Sequence, residues 1–211
     1  MKNVLILGAS GAIAQHTIEK LQNDNNINLT LFVRSSNKIK RFKNSHIQII
    51  EGDVLNTLDL KEALKDKDIV YANLSGPMED LAQAIINEME ESKPKRLIFV
   101  TSLGIYNEIP GKFGEWNDKM IGGALKTYRK AADIIEASDL DYTIVRPAWL
   151  TNKDEVNFEK TQKGEDFKGT EVSRKSVGNY IAEIIQHPEI DIKASVGINK
   201  PGTEGDQPAF Y

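Results

Sequence analysis

The chain has 211 residues, enough for one domain that buries roughly 70% of its unfolded surface, and its 40% hydrophobic and 27% charged residues are globular values, not those of disordered, collagen-like or coiled-coil chains. Lys plus Arg number 27 against 31 Asp plus Glu, a net charge of −4, which runs against a nucleic-acid binder because phosphate neutralisation needs a basic surface. Cysteine is absent, so disulfides, thiolate metal sites and thiol nucleophiles are excluded together.

Met1-Lys2-Asn3 leads into a short apolar run, Val4 to Leu7, far below the length of a signal h-region or a membrane span. A soluble cytoplasmic protein is the expectation. That run predicts a first strand, ended by Gly8-Ala9-Ser10-Gly11, and Ala12 to Leu21 follows as a helix with Ile13, Thr17, Ile18 and Leu21 on one side. After the turn cluster Asn23-Asp24-Asn25-Asn26 comes a strand over Leu29 to Val33, then a segment carrying Lys38, Lys40, Arg41 and Lys43. Ile47 to Ile50 predicts a third strand, Leu58 to Leu64 a short helix, Ile69 to Leu74 a fourth strand and Asp80 to Glu91 a helix. Leu97 to Val100 is unbroken in apolar character, as a strand buried on both faces should be, with Thr101-Ser102 at its exit. Residues 103–122, with scattered Gly, Pro and aromatics, read as a loop. Ala124 to Ala137 predicts a helix, Tyr142 to Val145 a sixth strand stopped by Arg146-Pro147, 151–171 a polar stretch, Ser176 to Gln186 a helix and Ser195 to Ile198 a short strand before a tail rich in Gly and Pro. The alternation of strand and helix predicts an α/β fold: a doubly wound parallel sheet with helices on both faces, three layers in all. No linker interrupts it, so residues 1–211 read as a single domain.

Gly8-x-x-Gly11-x-x-Ala14 lies between a predicted strand and a predicted helix, the context in which a glycine pattern signals a dinucleotide site. The first Gly allows the tight turn, the second lets the backbone approach a pyrophosphate at the helix N-terminus, and Ala14 allows close helix–strand packing. A Walker-type phosphate loop needs Gly-Lys-Ser/Thr, which Gly11-Ala12-Ile13 does not supply. At the end of the second strand an acidic residue would take the ribose 2′-hydroxyl, whereas an Arg accommodates a 2′-phosphate. Arg34 stands there, with Ser35 and Ser36 as hydrogen-bonding neighbours and no acidic residue from Leu29 through Ile50, so NADP(H) is preferred over NAD(H). The other basic residues of the segment read equally well as a solvated face.

With Gly8-Ala9-Ser10-Gly11, Gly52-Asp53-Val54, Thr101-Ser102 and Thr143-Ile144-Val145-Arg146-Pro147 in this order, the whole chain resembles the atypical short-chain dehydrogenase/reductases, in particular their NmrA-like, NAD(P)H-binding branch. That branch mixes reductases, flavin and biliverdin reductases among them, with cofactor-sensing proteins. The resemblance implies a Rossmann-type fold in which Gly8, Ser10, Gly11, Ala12 and Ile13 meet the cofactor at the first turn, Asp53 and Val54 hold the adenine, and Leu74, Ser75 and Gly76 line the ribose. It further implies Thr101 beside the cofactor, and Pro147, Ala148 and Trp149 facing the nicotinamide. The 103–122 loop and the 148–211 part would then form the substrate side.

Active members of the wider superfamily use a Ser, a Tyr and a Lys four residues after that Tyr, the phenol protonating a carbonyl oxygen. Here Ser102 matches the serine and Lys130 resembles the lysine, but Lys126 occupies the tyrosine position, and Tyr128 is two residues from Lys130, on the opposite helix face. Tyr106 is the substitute acid to consider, although packing of the loop by this aromatic is favoured over that role. His16, His46 and His187 lie in separate segments without metal-like spacing, and no metal is expected. Phe113, Trp116 and Trp149 either stack on a flat substrate or pack the loop. The sequence thus points to an NADPH-dependent reductase of a small carbonyl, flavin or quinone acceptor, with a non-catalytic NADP(H) sensor as the alternative. Its expected partner is a small-molecule substrate, not nucleic acid or membrane.

Overall fold

Six parallel strands, β1 (Lys2–Leu7), β2 (Ile27–Val33), β3 (Ile47–Glu51), β4 (Ile69–Ala72), β5 (Arg96–Val100) and β6 (Asp141–Pro147), stand in the order β3-β2-β1-β4-β5-β6. The sheet continues with β10 (Ala194–Asn199), parallel to β6, and ends in β8 (Glu159–Gln162), antiparallel to β10. A separate parallel pair joins β7 (Trp149–Thr151) to β9 (Glu171–Ser173). The computed structural model describes residues 1–42 and 44–211; Lys43 of the predicted basic segment lies outside them.

Side chains alternate across the strands and divide the core in two. Val4 and Ile6 of β1 face the layer formed by α1 (Ala12–Leu21) and α5 (Arg174–Gln186), while Leu5 and Leu7 face α2 (Thr57–Leu64), α3 (Met78–Glu90) and α4 (Gly111–Ala137). α1 buries Ile13, Ala14, Thr17, Ile18 and Leu21, a helical stripe against one face. Asn56 caps α2 by accepting from Leu58 N at 3.0 Å and Asp59 N at 3.2 Å, a contact worth about 1 kcal/mol. The crossover connections from β1 and from β4 depart to opposite faces, which leaves a crevice above the C-terminal ends of these neighbouring strands, where doubly wound sheets hold ligands.

The fold differs from the sequence reading in three places. Residues 111–122 are not loop: α4 starts at Gly111 and runs 27 residues. Gly costs about 1 kcal/mol per helix position, but buried Phe113 and Asn117 outweigh it by packing this part of α4 against the domain. The polar stretch 151–171 contains β8 and the ends of β7 and β9; β8 is a four-residue edge strand whose sequence, Glu-Lys-Thr-Gln, buries only Thr161 and so carries no apolar run. Arg146-Pro147 forms the last two residues of β6 instead of following it, with Pro147 in register with Ile198. Among the described residues no helix is long and apolar enough to cross a membrane, and no group of three His, Cys, Asp or Glu is placed to hold a metal.

Candidate functional site

At the end of β1 the chain turns at Gly8 with φ +75°, and a Cβ there would lie 2.2 Å from the Asn73 carbonyl oxygen. Only glycine fits. Gly11, the N-cap of α1, would place a Cβ 2.1 Å from Asn73 Nδ2. The second glycine therefore makes room for the Asn73 amide as well as for a ligand. Asn73 itself is fixed by donation from its backbone N–H to Leu7 O at 2.9 Å, and Gly8 N donates to Phe32 O at 3.0 Å. The first intrahelical bond of the turn runs from Gln15 N to Gly11 O at 3.0 Å, so the amides of Ala12 and Ile13 lie ahead of it at the positive end of α1. No acidic side chain stands in that first turn. Ile13 is buried and can serve an anion only through this amide.

A cleft of about 500 Å³ opens over the turn. Gly8, Ser10 and Gly11 form its floor; Arg34, Ser35, Asn37 and Lys38 line the side after β2. Asp53, Val54 and Leu55 line the side after β3, and Asn73, Leu74, Ser75 and Pro77 close it after β4. Asp53 Oδ1 accepts from Leu55 N at 3.0 Å, an Asx turn that holds this wall in shape. Glu51, just beyond the acid-free segment, accepts from Ser36 N at 2.7 Å; the Ser36 side chain and then this backbone contact hold its carboxyl below the ordinary range. Asn37, Lys38 and Asn73 were not singled out from sequence. The signals for them were Lys38 in the basic segment after β2 and Asn73 immediately before Leu74-Ser75-Gly76, which the reading placed inside a strand.

The remaining residues expected along the ribose and the nicotinamide stand as follows. Gly76 is an exposed turn residue with φ +121° and is not on the cleft wall. Thr101 Oγ1 donates to Val145 O at 3.3 Å, and Leu103 N donates to Pro147 O at 3.2 Å, so the exits of β5 and β6 adjoin. Ala148 is buried and its amide donates to Ile198 O at 2.9 Å. Trp149 Nε1 donates to Asn117 Oδ1 at 2.9 Å, and its indole belongs to an aromatic cluster, 4.8 Å from Trp116 and 5.2 Å from Tyr211.

Ser102 stands half-buried at the exit of β5, and the hydrogen bonds of Tyr106 and Lys130 run to other partners. Tyr106 donates from its hydroxyl to Glu136 Oε1 at 2.7 Å. Burial, with the neighbouring Glu136, pushes its pKa up, and Arg129, Arg146 and Lys163 flank its ring. Lys130 pairs with Glu79 at 2.8 Å on the solvent side of the α3–α4 contact. Their partners, Glu136 and Glu79, come from later on α4 and from α3, and so were not visible beside them in sequence.

Residues 8–188 match the NAD(P)H-binding family. The chain belongs to that family. Solved structures similar to this chain include a Rossmann-fold NAD(P)-binding family protein from Shigella flexneri, 50% identical with full coverage of both chains and a TM-score of 0.87. A short-chain dehydrogenase/reductase from Veillonella parvula DSM 2008 in complex with NADP is 28% identical, covers 99% of each chain and has a TM-score of 0.91. UPF0659 protein YMR090W from Saccharomyces cerevisiae is 21% identical over 212 residues, 92% of each chain. The family match and the sheet order give a Rossmann-fold NAD(P)H-binding protein of the atypical short-chain dehydrogenase/reductase kind.

Proposed function

We propose that the protein is an NADPH-dependent reductase of a small carbonyl, flavin or quinone acceptor. The observation that carries the cofactor choice is the outer wall of the cleft, where Arg34 and Lys38 stand with Ser35 and Asn37. Two cations and two neutral hydrogen-bonding side chains suit the doubly charged 2′-phosphate; the Glu51 carboxylate behind them is engaged with Ser36. The amides at the start of α1 suit the pyrophosphate. The relative crystallised with NADP supports the same choice. When bound, the reduced nicotinamide supplies hydride. The protein's part is to hold the acceptor at the strand exits, with Ser102 as the hydroxyl available to orient it and Thr101, Pro147 and Ala148 as the wall behind.

The engagement of Tyr106 with Glu136 and of Lys130 with Glu79 favours acceptors that take their proton from water, as flavins and quinones do, over carbonyls that need a positioned phenol. The same engagement supports the second reading, a sensor of NADP(H) without turnover. A panel of carbonyl, flavin and quinone acceptors, followed by loss of NADPH absorbance, separates the two. Turnover fastest with a quinone or flavin is expected; tight NADPH binding with no oxidation by any acceptor supports the sensor.

A further inference from the structure

Trp116 and Trp149 form a corner, with ring centroids 4.8 Å apart and planes at 58°. Both walls are held from behind. Trp116 stacks on buried Phe113 at 24°, and Trp149 is pinned through its indole N–H by Asn117, which is fully buried. That bond also fixes the amide orientation, because an indole N–H donates only to the oxygen. Tyr211 stands against both walls edge-on, at 5.0 Å and 69° from Trp116 and 5.2 Å and 81° from Trp149. Unlike the walls, it is 55% exposed. Its backbone bonds stay local, to Pro208 O and from Gln207 Nε2, and the segment behind it is fixed by Thr170 N to Thr203 O, Ala209 N to Glu171 Oε2 and the exposed Lys112–Asp206 pair.

Trp149 places the corner just beyond the C-terminal end of β6. Trp149 is two residues beyond Pro147, whose carbonyl accepts from Leu103 at the exit of β5. We propose that Trp116 and Trp149 are the seat for a flat conjugated ring of the acceptor, and that Tyr211 is a displaceable gate occupying that seat and selecting for such rings. The proposal rests on the reductase reading and names its specificity-determining residue. The reason is exchange: an acceptor enters by removing two aromatic contacts, and only another flat π-surface restores them. Each such contact corresponds to a factor of about 2 to 12 in a binding constant. A saturated or branched acceptor recovers neither.

The chain contains two tryptophans in all, and both are in this seat, so tryptophan fluorescence reports on it alone. The test titrates 1,4-naphthoquinone and, as the non-flat control, cyclohexanone into wild type, Tyr211→Ala, Tyr211→Phe and Tyr211→Trp, with KM and kcat for naphthoquinone measured in parallel. Naphthoquinone is expected to quench the wild type. Tyr211→Ala should bind it about 5-fold or more tightly with KM lowered and kcat unchanged, Tyr211→Phe should match wild type, and Tyr211→Trp should bind it more weakly. Cyclohexanone should not quench any of them. Absence of quenching in wild type and variants, or equal or weaker naphthoquinone binding by Tyr211→Ala, overturns the gate. The quenching needs no turnover, so it fails or succeeds separately from the reductase reading, which a calorimetric titration of NADPH decides.

Discussion

Glu108 is 8% exposed and carries three bonds on its carboxylate: it accepts from Gly104 N at 3.0 Å and Tyr106 N at 2.8 Å and pairs with Arg146. Arg146 has no exposed surface. Its remaining acceptors are Ser195 Oγ at 3.1 Å, Ser195 O at 3.2 Å and Thr161 O at 3.3 Å, all neutral. Glu108→Ala therefore leaves a buried guanidinium without its counter-charge and unties the turn after β5. Breaking a buried pair from one side costs about 3–5 kcal/mol. The retained neutral acceptors offset part of the lost pairing, and the two freed amides add to the cost, so a loss of about 4 kcal/mol is expected. In a chain of this size that lowers Tm by about 8–16 °C. Urea titration and scanning calorimetry measure it. Glu108→Leu combined with Arg146→Met removes both charges and should lose clearly less than Glu108→Ala. A single-variant loss below about 1 kcal/mol, or a double variant as damaged as the single one, would refute the idea that this pair clamps the 103–107 turn to β6.

Gly8→Ala meets both a left-handed φ and the Asn73 carbonyl at 2.2 Å; NADPH binding should fall at least tenfold in calorimetry while circular dichroism stays native, and retained affinity would show that the turn does not shape the site. Tyr106→Phe should change carbonyl turnover by less than about threefold, against the 10²–10⁴-fold loss of a true general acid, because the phenol is committed to Glu136; a hundredfold loss would restore Tyr106 as the proton donor. Asp68 is held below the ordinary aspartate range, chiefly by donation from Asn3 N and then by Lys93. A depressed carboxyl stabilises the fold above its unfolded pKa of about 3.9 and loses that contribution as pH falls through the folded value. Asp68→Asn should therefore lower stability at neutral pH and make it fall less steeply below about pH 4, as read from urea midpoints across pH.

What the sequence made legible is what sits within one turn of chain. The glycine turn, Arg34 after β2 and Asp53 after β3 are each next to the strand end that positions them, and all reach the cleft wall. Asn73 was hidden because its role comes from β4 lying beside β1, which brings it against Gly8 and Gly11. Lys38 looked like a solvated face until the short turn Ser36–Lys38 brought it round beside Arg34. The first turns of α4 were hidden by Gly111, Gly114, Gly122 and Gly123, whose poor helix propensity is overridden by tertiary packing of Phe113 and Asn117. Tyr106 looked available as an acid because Glu136, its partner, is thirty positions further on.

On the proposed reading, the basic wall of the cleft selects NADPH by its 2′-phosphate. Calorimetric titration of NADPH and NADH into wild type and Arg34→Ala tests it most directly. Charge-assisted hydrogen bonds are worth about 1.5–3 kcal/mol each. Wild type should therefore prefer NADPH by about tenfold or more, and Arg34→Ala should lose most of that preference by weakening NADPH while leaving NADH affinity unchanged. Equal affinities in wild type, or an undiminished preference in Arg34→Ala, would contradict it.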